Sequence, residues 1–450
     1  WRSWRPMHPR NAYRVPPDWA ALAARDASLR AWQGRRVDLG EPAALRAFTQ
    51  ALLRRDFGIE CEVAAERLCP TLPNRLNYIH WLEDVLEASG AAHGDVHGLD
   101  VGTGHVAVYA LLVCALHPTW RMTGTDTDAG AIAWAQRVVD DARNDRHAWR
   151  DRVRLLHTEP APLLVPSACP YTFVLCNPPF YESLDERDAL LHAKAEYVRP
   201  CEAVEAELCT PGGEVAFVTR LLEESAAPAH RERTAWYSSM LGRLASVAAL
   251  VPLVRRTAAQ YALTELVQGR TRRWALAWSF RAARVPDTLA RATSASLQAY
   301  VPPSNTRTWP LAPCDPAALA AQLRALPTLP PEAVDWEGPL ALAVWTPCWT
   351  RSARRARARG EESVPRGSAP LLRLVWEPQA SQVLVHWTYG TDRVLFDSLC
   401  THLWGQLQPR RCTERLHRRC VDRRAFAAAA AEDVFDLGEW GARTKNSPAR

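Results

Sequence analysis

VHGLDVGTGH, at residues 96–105, is followed by an apolar stretch, residues 106–116, whose spacing is helical. A strand, a glycine turn and a helix in this order form a nucleotide-sized ledge at the carboxyl edge of a parallel sheet. Gly102 and Gly104 allow the backbone to approach a ligand closely, and the helix N-terminus behind them offers free N–H groups. Because the third glycine of the dinucleotide fingerprint is absent, the pattern is the shorter form typical of S-adenosylmethionine sites.

An acidic residue ends the next predicted strand. Residues 120–126 read WRMTGTD, and a carboxylate at Asp126 can accept hydrogen bonds from both hydroxyls of a ribose. Further apolar runs alternate with helical patterns, which predicts a doubly wound α/β sheet. The strands are expected near residues 96–101, 120–126, 152–157, 171–176, 213–219, 246–253 and 273–280.

The tetrapeptide NPPF begins at Asn177, directly after the buried strand predicted at residues 171–176. An amine conjugated to an aromatic ring is a poor nucleophile, because its lone pair is shared with the ring. The lone pair becomes available only if the NH2 group is held out of resonance. The Asn177 side-chain oxygen and the Pro178 carbonyl can each accept one amine hydrogen, and Pro179 further stiffens the loop. The Phe180 ring can lie against the face of a base. Alone, the tetrapeptide could simply end a strand with a turn, but after the glycine ledge it is predicted to be catalytic.

Arginine supplies almost all of the positive charge. The chain has 55 lysines and arginines and a net charge of +6, and we find lysine only at Lys194 and Lys445. A GC-rich genome can explain the overall bias, but it does not readily explain why the arginines cluster at a few places. Arginine forks and flat rings suit phosphates and unstacked bases. Three such clusters, at residues 1–14, 269–274 and 351–359, make nucleic acid the favoured substrate class.

Other features argue against whole classes of protein. No apolar run reaches the roughly 18 residues that a membrane span requires, and residues 1–8 lack the apolar core of a signal peptide. The chain begins without methionine, so the alternative that a targeting segment has been removed stays open. The twelve cysteines have irregular spacing, which indicates reduced thiols of the cytosol or nucleus. Cys412, His417 and Cys420 lie among arginines on a predicted helix, so no metal site is expected.

The chain is predicted to divide into four parts. Helical patterns with apolar stripes fill the first, for example at residues 42–57 and 77–86. The last part combines strands and helices, which indicates an α+β module. The predicted parts are 1–90, a helical, RNA-contacting extension; 91–284, a Rossmann-like class I methyltransferase domain; 285–334, a proline-rich linker; and 335–450, a smaller α+β RNA-binding domain.

In the last part, with a helix at residues 316–326, the predicted order of elements is helix, three or more strands, helix. Helices are expected at residues 316–326, 394–407 and 413–431, and strands at 338–346, 371–377 and 382–389. The arginine run at 351–359, with residues 360–369, would then form a long loop between two strands. Such a loop is either a solvated, disordered insertion or an arm that orders on binding RNA. In the second case the RNA contacts would include Arg354, Arg355 and Arg357.

Several longer motifs resemble those of the methyltransferase-like protein 16 family. That family methylates N6 of adenosine in U6 small nuclear RNA and includes bacterial ribosomal RNA adenine methyltransferases. RLNYIHW and the terminal QGRTRRWALAWSF are long enough to make chance similarity improbable. The matching stretches are MHPRN (7–11), PPD (16–18), LLRRDFG (52–58), RLNYIHWLED (75–84), GLDVGTG (98–104), CNPPF (176–180), WYSSMLG (236–242) and QGRTRRWALAWSF (268–280).

This resemblance implies a cofactor site for S-adenosylmethionine. Arg75 would pair with the methionine carboxylate, Gly102 and its neighbours would line the cofactor, and Asp126 would bind the ribose. The implied cofactor residues are Arg75, Asp100, Gly102, Thr103, Gly104, Val106, Asp126 and Asn177.

The resemblance also implies how the substrate is held. Asn177 and Pro178 would hold the adenine amine, with Pro179 in the same loop, while Phe180 and Tyr181 would stack on the base. The implied contacts to RNA are Arg10, Asn11, Arg14, Tyr181, Arg270, Arg272 and Arg273.

The chain departs from the family pattern at four places. Asp126 stands where relatives often carry glutamate, and Val106 stands where a small hydroxyl residue is usual, so only its backbone could serve. Two prolines change the loop at residues 159–163. Residues 182–210 are acidic where a basic substrate loop is expected, and acidic groups beside an RNA groove would repel phosphate. This segment could be disordered, gate the site or weaken the enzyme.

The sequence therefore predicts an S-adenosylmethionine-dependent RNA methyltransferase that forms N6-methyladenosine, with U6 small nuclear RNA as the favoured substrate. Because the base must leave its stack to react, an unpaired adenosine is expected. The protein would act in the nucleus as a monomer, without a membrane or a metal. Two alternatives stay open: an adenine or amine methyltransferase acting on ribosomal RNA, DNA or protein, and a splicing chaperone that binds RNA with little turnover.

Overall fold

Seven strands form the larger of two sheets in the computed structural model, which describes residues 7–35, 37–167, 169–192, 203–269, 271–310, 315–360 and 366–408. Their order is β3-β2-β1-β4-β5-β7-β6, in which β1 to β5 pair in parallel and β7 runs antiparallel to both neighbours. The strands are β1 His97–Val101, β2 Arg121–Asp126, β3 Val153–His157, β4 Phe173–Cys176, β5 Trp236–Leu241, β6 Gln260–Gln268 and β7 Thr271–Ser279.

The central parallel strands β1, β4 and β5 are buried on both faces, because separate apolar cores lie on the two sides of the sheet. Neighbouring residues of β4 point into different cores: Leu175 belongs to one, and Val174 and Cys176 to the other. The helices of the first part are α1 Trp19–Arg25, α2 Pro42–Leu52, α3 Leu72–Ala88, α4 Val108–Leu116, α5 Ala129–Asp140, α6 Trp149–Arg152, α7 Leu184–His192, α8 Glu205–Leu208, α9 Gly213–Ala226, α10 Pro228–Arg231 and α11 Leu244–Thr257.

Helix α3 fixes the N-terminal extension to the sheet. Most of its side chains are buried, and the hydroxyl groups of Tyr78 and Ser238 lie 2.7 Å apart. Four 3₁₀ turns and one π-helical turn complete the irregular helical segments. They are Ala12–Arg14, Ala27–Trp32, Ala142–His147 and Ala295–Leu297, with the π turn at Leu53–Phe57.

Two predicted strands are wrong, because residues 213–219 and 246–253 lie in helices α9 and α11. Their buried residues recur at helical spacing, as with Val247, Leu250 and Val251. Gly212, with φ of 72°, begins α9 rather than a strand. The strands that complete the sheet are instead β5 and β6, which the predicted strand positions did not include.

Five antiparallel strands form the second sheet, in the order β8-β12-β11-β10-β9. Its edge strand β8 and one of its helices, α13, fall within the proline-rich stretch 285–334, which is therefore folded rather than a plain linker. The elements are α12 Asp287–Ala290, β8 Thr306–Trp309, α13 Pro316–Arg324, β9 Val334–Gly338, β10 Ala341–Val344, α14 Arg351–Ala358, β11 Leu372–Pro378, β12 Val383–Tyr389 and α15 Arg393–Leu407.

The arginine run predicted as a loop is the helix α14. The Thr350 hydroxyl caps it by accepting from the Ala353 N–H, and alanine and arginine both favour helix. The chain divides into two compact units, residues 1–398 and 399–450. The helix predicted at 413–431 and the residues Cys412, His417 and Cys420 lie outside the described residues.

Short backbone contacts join the segment after β7 to the end of β12. The Gly390 N–H donates to the Ala282 carbonyl at 2.8 Å, and the Arg284 N–H donates to the Thr388 carbonyl at 2.9 Å. The Arg284 guanidinium lies 3.8 Å from the centre of the Trp387 ring, and its Nε donates to the Gly390 carbonyl at 2.8 Å. Burial lowers the pKa of Arg284 to about 10, so the ring and the carbonyl offset a desolvation cost.

Replacing Arg284 by alanine is expected to lower the free energy of unfolding by about 2–3 kcal/mol, since a stacked cation and a hydrogen bond are lost together. Urea denaturation followed by tryptophan fluorescence measures the change. Arg281→Ala is the matched control, because that exposed side chain makes only long contacts, of 3.2 and 3.4 Å, to backbone carbonyls. Equal stability of the two variants would show that Arg284 does not fasten the second sheet.

Candidate active site

A cavity of about 280 Å³ opens at the carboxyl ends of β1, β2 and β4. These ends are level, because Val101 pairs with Thr125 on one side and with Cys176 on the other. The strand order reverses at β1 and β4, the place where open α/β sheets bind ligands. The predicted residues that line the cavity are Arg75, Gly102, Thr103, Gly104, Val106, Asp126, Asn177, Pro178 and Pro179.

The glycine turn takes the conformation that its sequence requires. Gly102 and Gly104 have φ of 75° and 70°, and no atom lies within 4 Å of where a Cβ would stand on either. The N–H groups of Gly102 and Thr103 both donate to the Thr125 carbonyl at 2.9 Å, which ties the turn to β2. The backbone is therefore fixed with open space beside both glycines, as close approach by a ligand requires.

Asp126 joins the turn to the next loop. Its Oδ2 accepts from the Gly104 N–H at 2.9 Å, and its Oδ1 accepts from the Asp128 N–H at 3.0 Å. Burial raises the pKa of the Asp126 carboxyl, against the effect of these two hydrogen bonds. Because each carboxylate oxygen can accept more than one hydrogen bond, Asp126 still has capacity for ligand hydroxyls.

Asp100 does not line the cavity but supports a residue that does. It is fully buried, and its Oδ2 accepts from the Thr103 hydroxyl at 2.6 Å. Its Oδ1 is also buried and has no hydrogen-bond partner among the residues that the structure describes. Burial raises the pKa of Asp100 to about 7.

Because the pKa of Asp100 is raised, Asp100→Asn is expected to stabilise the folded protein by an amount that grows with pH. The buried carboxyl keeps its proton up to about pH 7, whereas the unfolded chain loses it near pH ~4. Burying the charge therefore destabilises the folded state increasingly as pH rises from 4 to 7, and by a constant amount above 7. Because asparagine is uncharged, its advantage in the ligand-free protein should be about 2 kcal/mol larger at pH 8 than at pH 5. Urea denaturation at both pH values checks this, and an equal advantage at both would contradict it.

The NPPF loop, residues 177–180, contains an unsatisfied acceptor on a residue that lines the cavity. The Asn177 side-chain oxygen is buried and makes no hydrogen bond within the described chain. The Phe180 ring does not line the cavity, and the Arg273 guanidinium lies 5.2 Å from its centre. A Cβ on Gly242 would come within 2.9 Å of the Phe180 ring, so that position needs glycine. The loop thus presents a polar atom beside an aromatic surface.

Arg75 enters the cavity from the first turns of α3. Its Nη1 donates to the Thr71 hydroxyl at 2.9 Å, while its Nε is buried without a partner in the described residues. Burial lowers the pKa of Arg273, and the neighbouring Arg75 cation adds to that decrease. The guanidinium groups of Arg75 and Arg273 are therefore close enough to interact, near the NPPF loop.

The predicted RNA contacts of the N-terminal segment are placed differently from one another. Arg14 is exposed, whereas Arg10 is held by Asp84 and lies 3.1 Å from Glu83. Asn11 is buried: its Nδ2 donates to the Pro73 carbonyl and to the Asn77 side-chain oxygen, both at 2.8 Å. Asn11 therefore holds this segment against α3.

The other predicted RNA residues are mostly at the surface. Arg272 is exposed and lies 3.4 Å from Glu265, and the backbone of Tyr181 forms a bridge with Cys209. Arg270 lies outside the described residues. On α14, Arg354, Arg355 and Arg357 are all exposed, the last of them 3.6 Å from Glu332.

Sequence reasoning missed a group of charged residues at the same cavity. Arg67 lies 2.5 Å from Asp128 and 3.7 Å from Glu207, and the Leu68 N–H donates to Glu207 at 2.7 Å. Glu207 belongs to the acidic segment at residues 182–210, which stands where a basic substrate loop was expected. Another acid of that segment, Glu186, lies 2.5 Å from Arg243. No periodicity or motif marks these residues, because they meet only in the folded chain.

Within the residues that the structure describes, no group of three or more His, Cys, Asp and Glu side chains is arranged to hold a metal ion. None of the described helices is both long and apolar enough to cross a membrane.

Known proteins are similar in sequence and in fold to the part of the chain that carries this cavity. Residues 2–282 match the model of a family described as RNA methyltransferase. The U6 small nuclear RNA (adenine-(43)-N(6))-methyltransferase of Schizosaccharomyces pombe is 30% identical over 380 residues, which are 82% of this chain and 94% of that protein. Human RNA N(6)-adenosine-methyltransferase METTL16 is 34% identical over 291 residues, and the match spans 61% of this chain and 50% of the human protein.

A solved structure extends the similarity to three dimensions. The crystal structure of the hMettl16 catalytic domain in complex with MAT2A 3′UTR hairpin 1 is 34% identical, with a TM-score of 0.53 over 61% of this chain and 96% of the crystallised one. The resemblance and the α/β fold predicted from the motifs are thus confirmed. The chain belongs to this family of RNA methyltransferases.

Proposed function

We propose that the protein is an S-adenosylmethionine-dependent methyltransferase that forms N6-methyladenosine at an unpaired adenosine of RNA. One observation carries this proposal beyond family membership. The buried Asn177 side-chain oxygen has no hydrogen-bond partner in the described chain, and it lines the cavity that the glycine turn also lines. An amide acceptor left unsatisfied at such a place is suited to a ligand's N–H group.

The residues present fit the cofactor. The cavity carries a buried polar atom that the described protein does not satisfy, Arg75 Nε, and it has open space next to Gly102 and Gly104. Arg75 would bind the methionine carboxylate, the N–H groups around Gly102 would approach the amino acid part, and Asp126 would bind the ribose hydroxyls. When bound, S-adenosylmethionine supplies an electrophilic methyl group on a sulfonium centre.

The catalytic loop would prepare the adenine amine for attack. Asn177 Oδ1 and the Pro178 carbonyl each accept one hydrogen of the amine, which holds the lone pair out of conjugation with the ring. Pro178 and Pro179 limit the motion of the loop, so both acceptors stay in place and little entropy is lost in the reaction. Phe180 stacks on the base. The Arg273 guanidinium lies 5.2 Å from the centre of the Phe180 ring. No general base is needed before methyl transfer.

Arginines around this loop favour RNA over other methyl acceptors. Arg272 is exposed on β7, and Arg14 is exposed on the N-terminal segment. Both can contact phosphates. Because the base must leave its stack to reach Asn177, an unpaired or bulged adenosine is the substrate.

The four predicted parts of the chain are retained as a proposal about the division of labour. Residues 1–90 and 91–284 would form the catalytic part, and residues 285–334, which also supply β8 to the second sheet, would connect it to an RNA-binding part at 335–450. Helix α14 supports the last assignment, because its arginines are exposed. Arg354 and Arg357 are three residues apart and lie on one face of this helix, so both can engage one phosphate backbone.

U6 small nuclear RNA is the proposed substrate. The Schizosaccharomyces pombe relative, whose length is matched almost completely, is named for methylation of U6 at adenine 43. With this substrate the protein would act in the nucleus. It is also proposed to act as a monomer. Localisation of a fluorescent fusion tests the compartment, and a cytoplasmic distribution alone would count against U6.

Pairing of the target adenosine tests the substrate proposal directly. Two U6-like hairpins that differ only in whether the adenosine faces a uridine would be incubated with the protein and labelled S-adenosylmethionine. The unpaired hairpin is expected to be methylated at least about tenfold faster, because unpairing costs a few kcal/mol. Equal rates, or preference for a ribosomal RNA hairpin or for DNA, would overturn this choice of substrate.

A further inference from the structure

A histidine outside the predicted cofactor set lines the cavity from the glycine turn. His105 is buried, with 3% of its surface exposed, and its ring packs edge-on to that of Trp134, with centroids 6.2 Å apart. Its Nε2 is buried and has no hydrogen-bond partner in the described parts of the chain. Because an unsatisfied buried nitrogen costs free energy, a ligand group is expected to satisfy it.

Glu207 faces the same histidine from α8. Its Oε2 accepts from the Leu68 N–H at 2.7 Å, which fixes the carboxylate at the cavity. Its Oε1 lies 3.6 Å from His105 Nδ1 and 3.7 Å from Arg67 Nη1, and it makes no hydrogen bond to any described residue. Two neighbouring side chains therefore each bring an unsatisfied polar atom to one cavity.

The pair lies on the side of the cavity that carries Asp126. His105 directly follows Gly104, whose N–H donates to Asp126 Oδ2 at 2.9 Å. Arg67, which lies near Glu207, also pairs with Asp128. At the next position Val106 has no hydroxyl to offer, so the glycine turn lacks a polar side chain there.

We propose that His105 and Glu207 form an imidazole–carboxylate pair that binds the ribose side of S-adenosylmethionine, an inference that rests on the function proposed above. Glu207 Oε1 lies 3.6 Å from Nδ1, which limits the position of the ring without a hydrogen bond, and Nε2 is left to bind the ligand. The Leu68 N–H and Arg67 in turn hold the carboxylate, so a segment before α3 and the short helix α8 both support the cofactor. The pair supplies a contact that neither Asp126 nor Val106 provides.

A role confined to packing fits the same atoms less well. A structural imidazole–carboxylate pair would be expected to satisfy both partners within the protein. Here the Nδ1–Oε1 distance exceeds a hydrogen bond, and Nε2 is left without any partner in the described chain. Ligand affinity therefore separates the two roles, because a packing role would alter stability without ligand and leave affinity per folded molecule unchanged.

Calorimetric titration of the full chain with two ligands tests the pair. S-Adenosylhomocysteine carries both the adenosine and the amino acid, whereas 5′-methylthioadenosine keeps the adenosine and lacks the amino acid. His105→Leu and Glu207→Ala are each expected to weaken both ligands by about tenfold. His105→Gln should recover most of the affinity, because its amide nitrogen can reach the place of Nε2. The double variant should lose less than the product of the single losses, since the two side chains act together.

Glu205→Ala is the matched control, because Glu205 is exposed on the same short helix. If Glu207→Ala does not fold, Glu207→Gln repeats the test, since it keeps an acceptor for the Leu68 N–H. Variants that bind both ligands like the wild type, or that lose only S-adenosylhomocysteine, would overturn the pair and leave the proposed methyltransferase standing. A wild-type protein that binds neither ligand would overturn both.

Discussion

Asn177→Ala is expected to lower the rate constant for methyl transfer by about a thousandfold or more, because positioning and preorganised acceptors supply most of the acceleration. Alanine removes the acceptor that is buried at the cavity without a partner in the described chain. The amine would then keep its conjugation with the ring, and its lone pair would not point at the methyl group. Single-turnover assays with saturating RNA and cofactor measure this step without product release.

Cofactor binding provides the control for this variant. The glycine turn, Asp126 and Arg75 remain in place, so affinity for S-adenosylhomocysteine should be largely unchanged. Thermal unfolding should also be close to that of the wild type, because the lost amide oxygen satisfies no other described group. If the single-turnover rate of Asn177→Ala is within about threefold of the wild-type rate, the loss is too small for a positioned catalytic acceptor. That result would contradict the proposed mechanism.

Arg75→Met is expected to weaken S-adenosylhomocysteine binding by about a hundredfold, since a charge-assisted pair with the ligand carboxylate is lost. Methionine keeps an unbranched side chain in the cavity wall but has no donor. The same variant should bind 5′-methylthioadenosine nearly as well as the wild type, because that ligand has no carboxylate. This selectivity is the opposite of the equal losses expected from His105→Leu.

Thr71→Val is the matched control for Arg75→Met. The Thr71 hydroxyl accepts from Arg75 Nη1 at 2.9 Å, so valine leaves the guanidinium in place but less firmly oriented. The affinity for S-adenosylhomocysteine is expected to fall only a few-fold, because the guanidinium keeps its charge and only its orientation is loosened. If Arg75→Met weakens both ligands equally, Arg75 shapes the cavity instead of pairing with the carboxylate.

The parts of the site that the sequence reveals are those made by local backbone chemistry. Gly102 and Gly104 are recognisable because only glycine adopts their left-handed conformation readily, and Asn177 is recognisable because prolines follow it. The register of β1 with its neighbours then brings these segments to one edge. Nine predicted residues line one cavity for that reason.

Errors arose where short apolar runs fit both helix and strand. Residues 213–219 and 246–253 have only a few turns of pattern, and a paired glycine suggested a strand start. In the fold, Val218, Leu221 and Leu222 all face the core from α9, which only helical spacing allows. The second sheet depended similarly on long-range pairing, as between β8 and β12.

The missed residues at the cavity depend on tertiary structure alone. Arg67 and Glu207 are separated by many elements, and they meet because the segment before α3 and helix α8 both reach the same edge of the sheet. Residues 182–210 stand where a basic substrate loop was expected, and their acidic groups would repel RNA there, yet Glu207 lines the cavity near Arg67. A charge pattern reports how many charges a segment carries, but it does not report which way each one points.

Nucleoside mass spectrometry of U6 RNA incubated with the full chain and S-adenosylmethionine tests the central claim most directly. The wild-type protein is expected to produce N6-methyladenosine that accumulates with time at an unpaired adenosine, while Asn177→Ala produces none above background. If the wild type binds both S-adenosylhomocysteine and U6 RNA but forms no N6-methyladenosine, the protein is an RNA-binding factor and not the enzyme proposed.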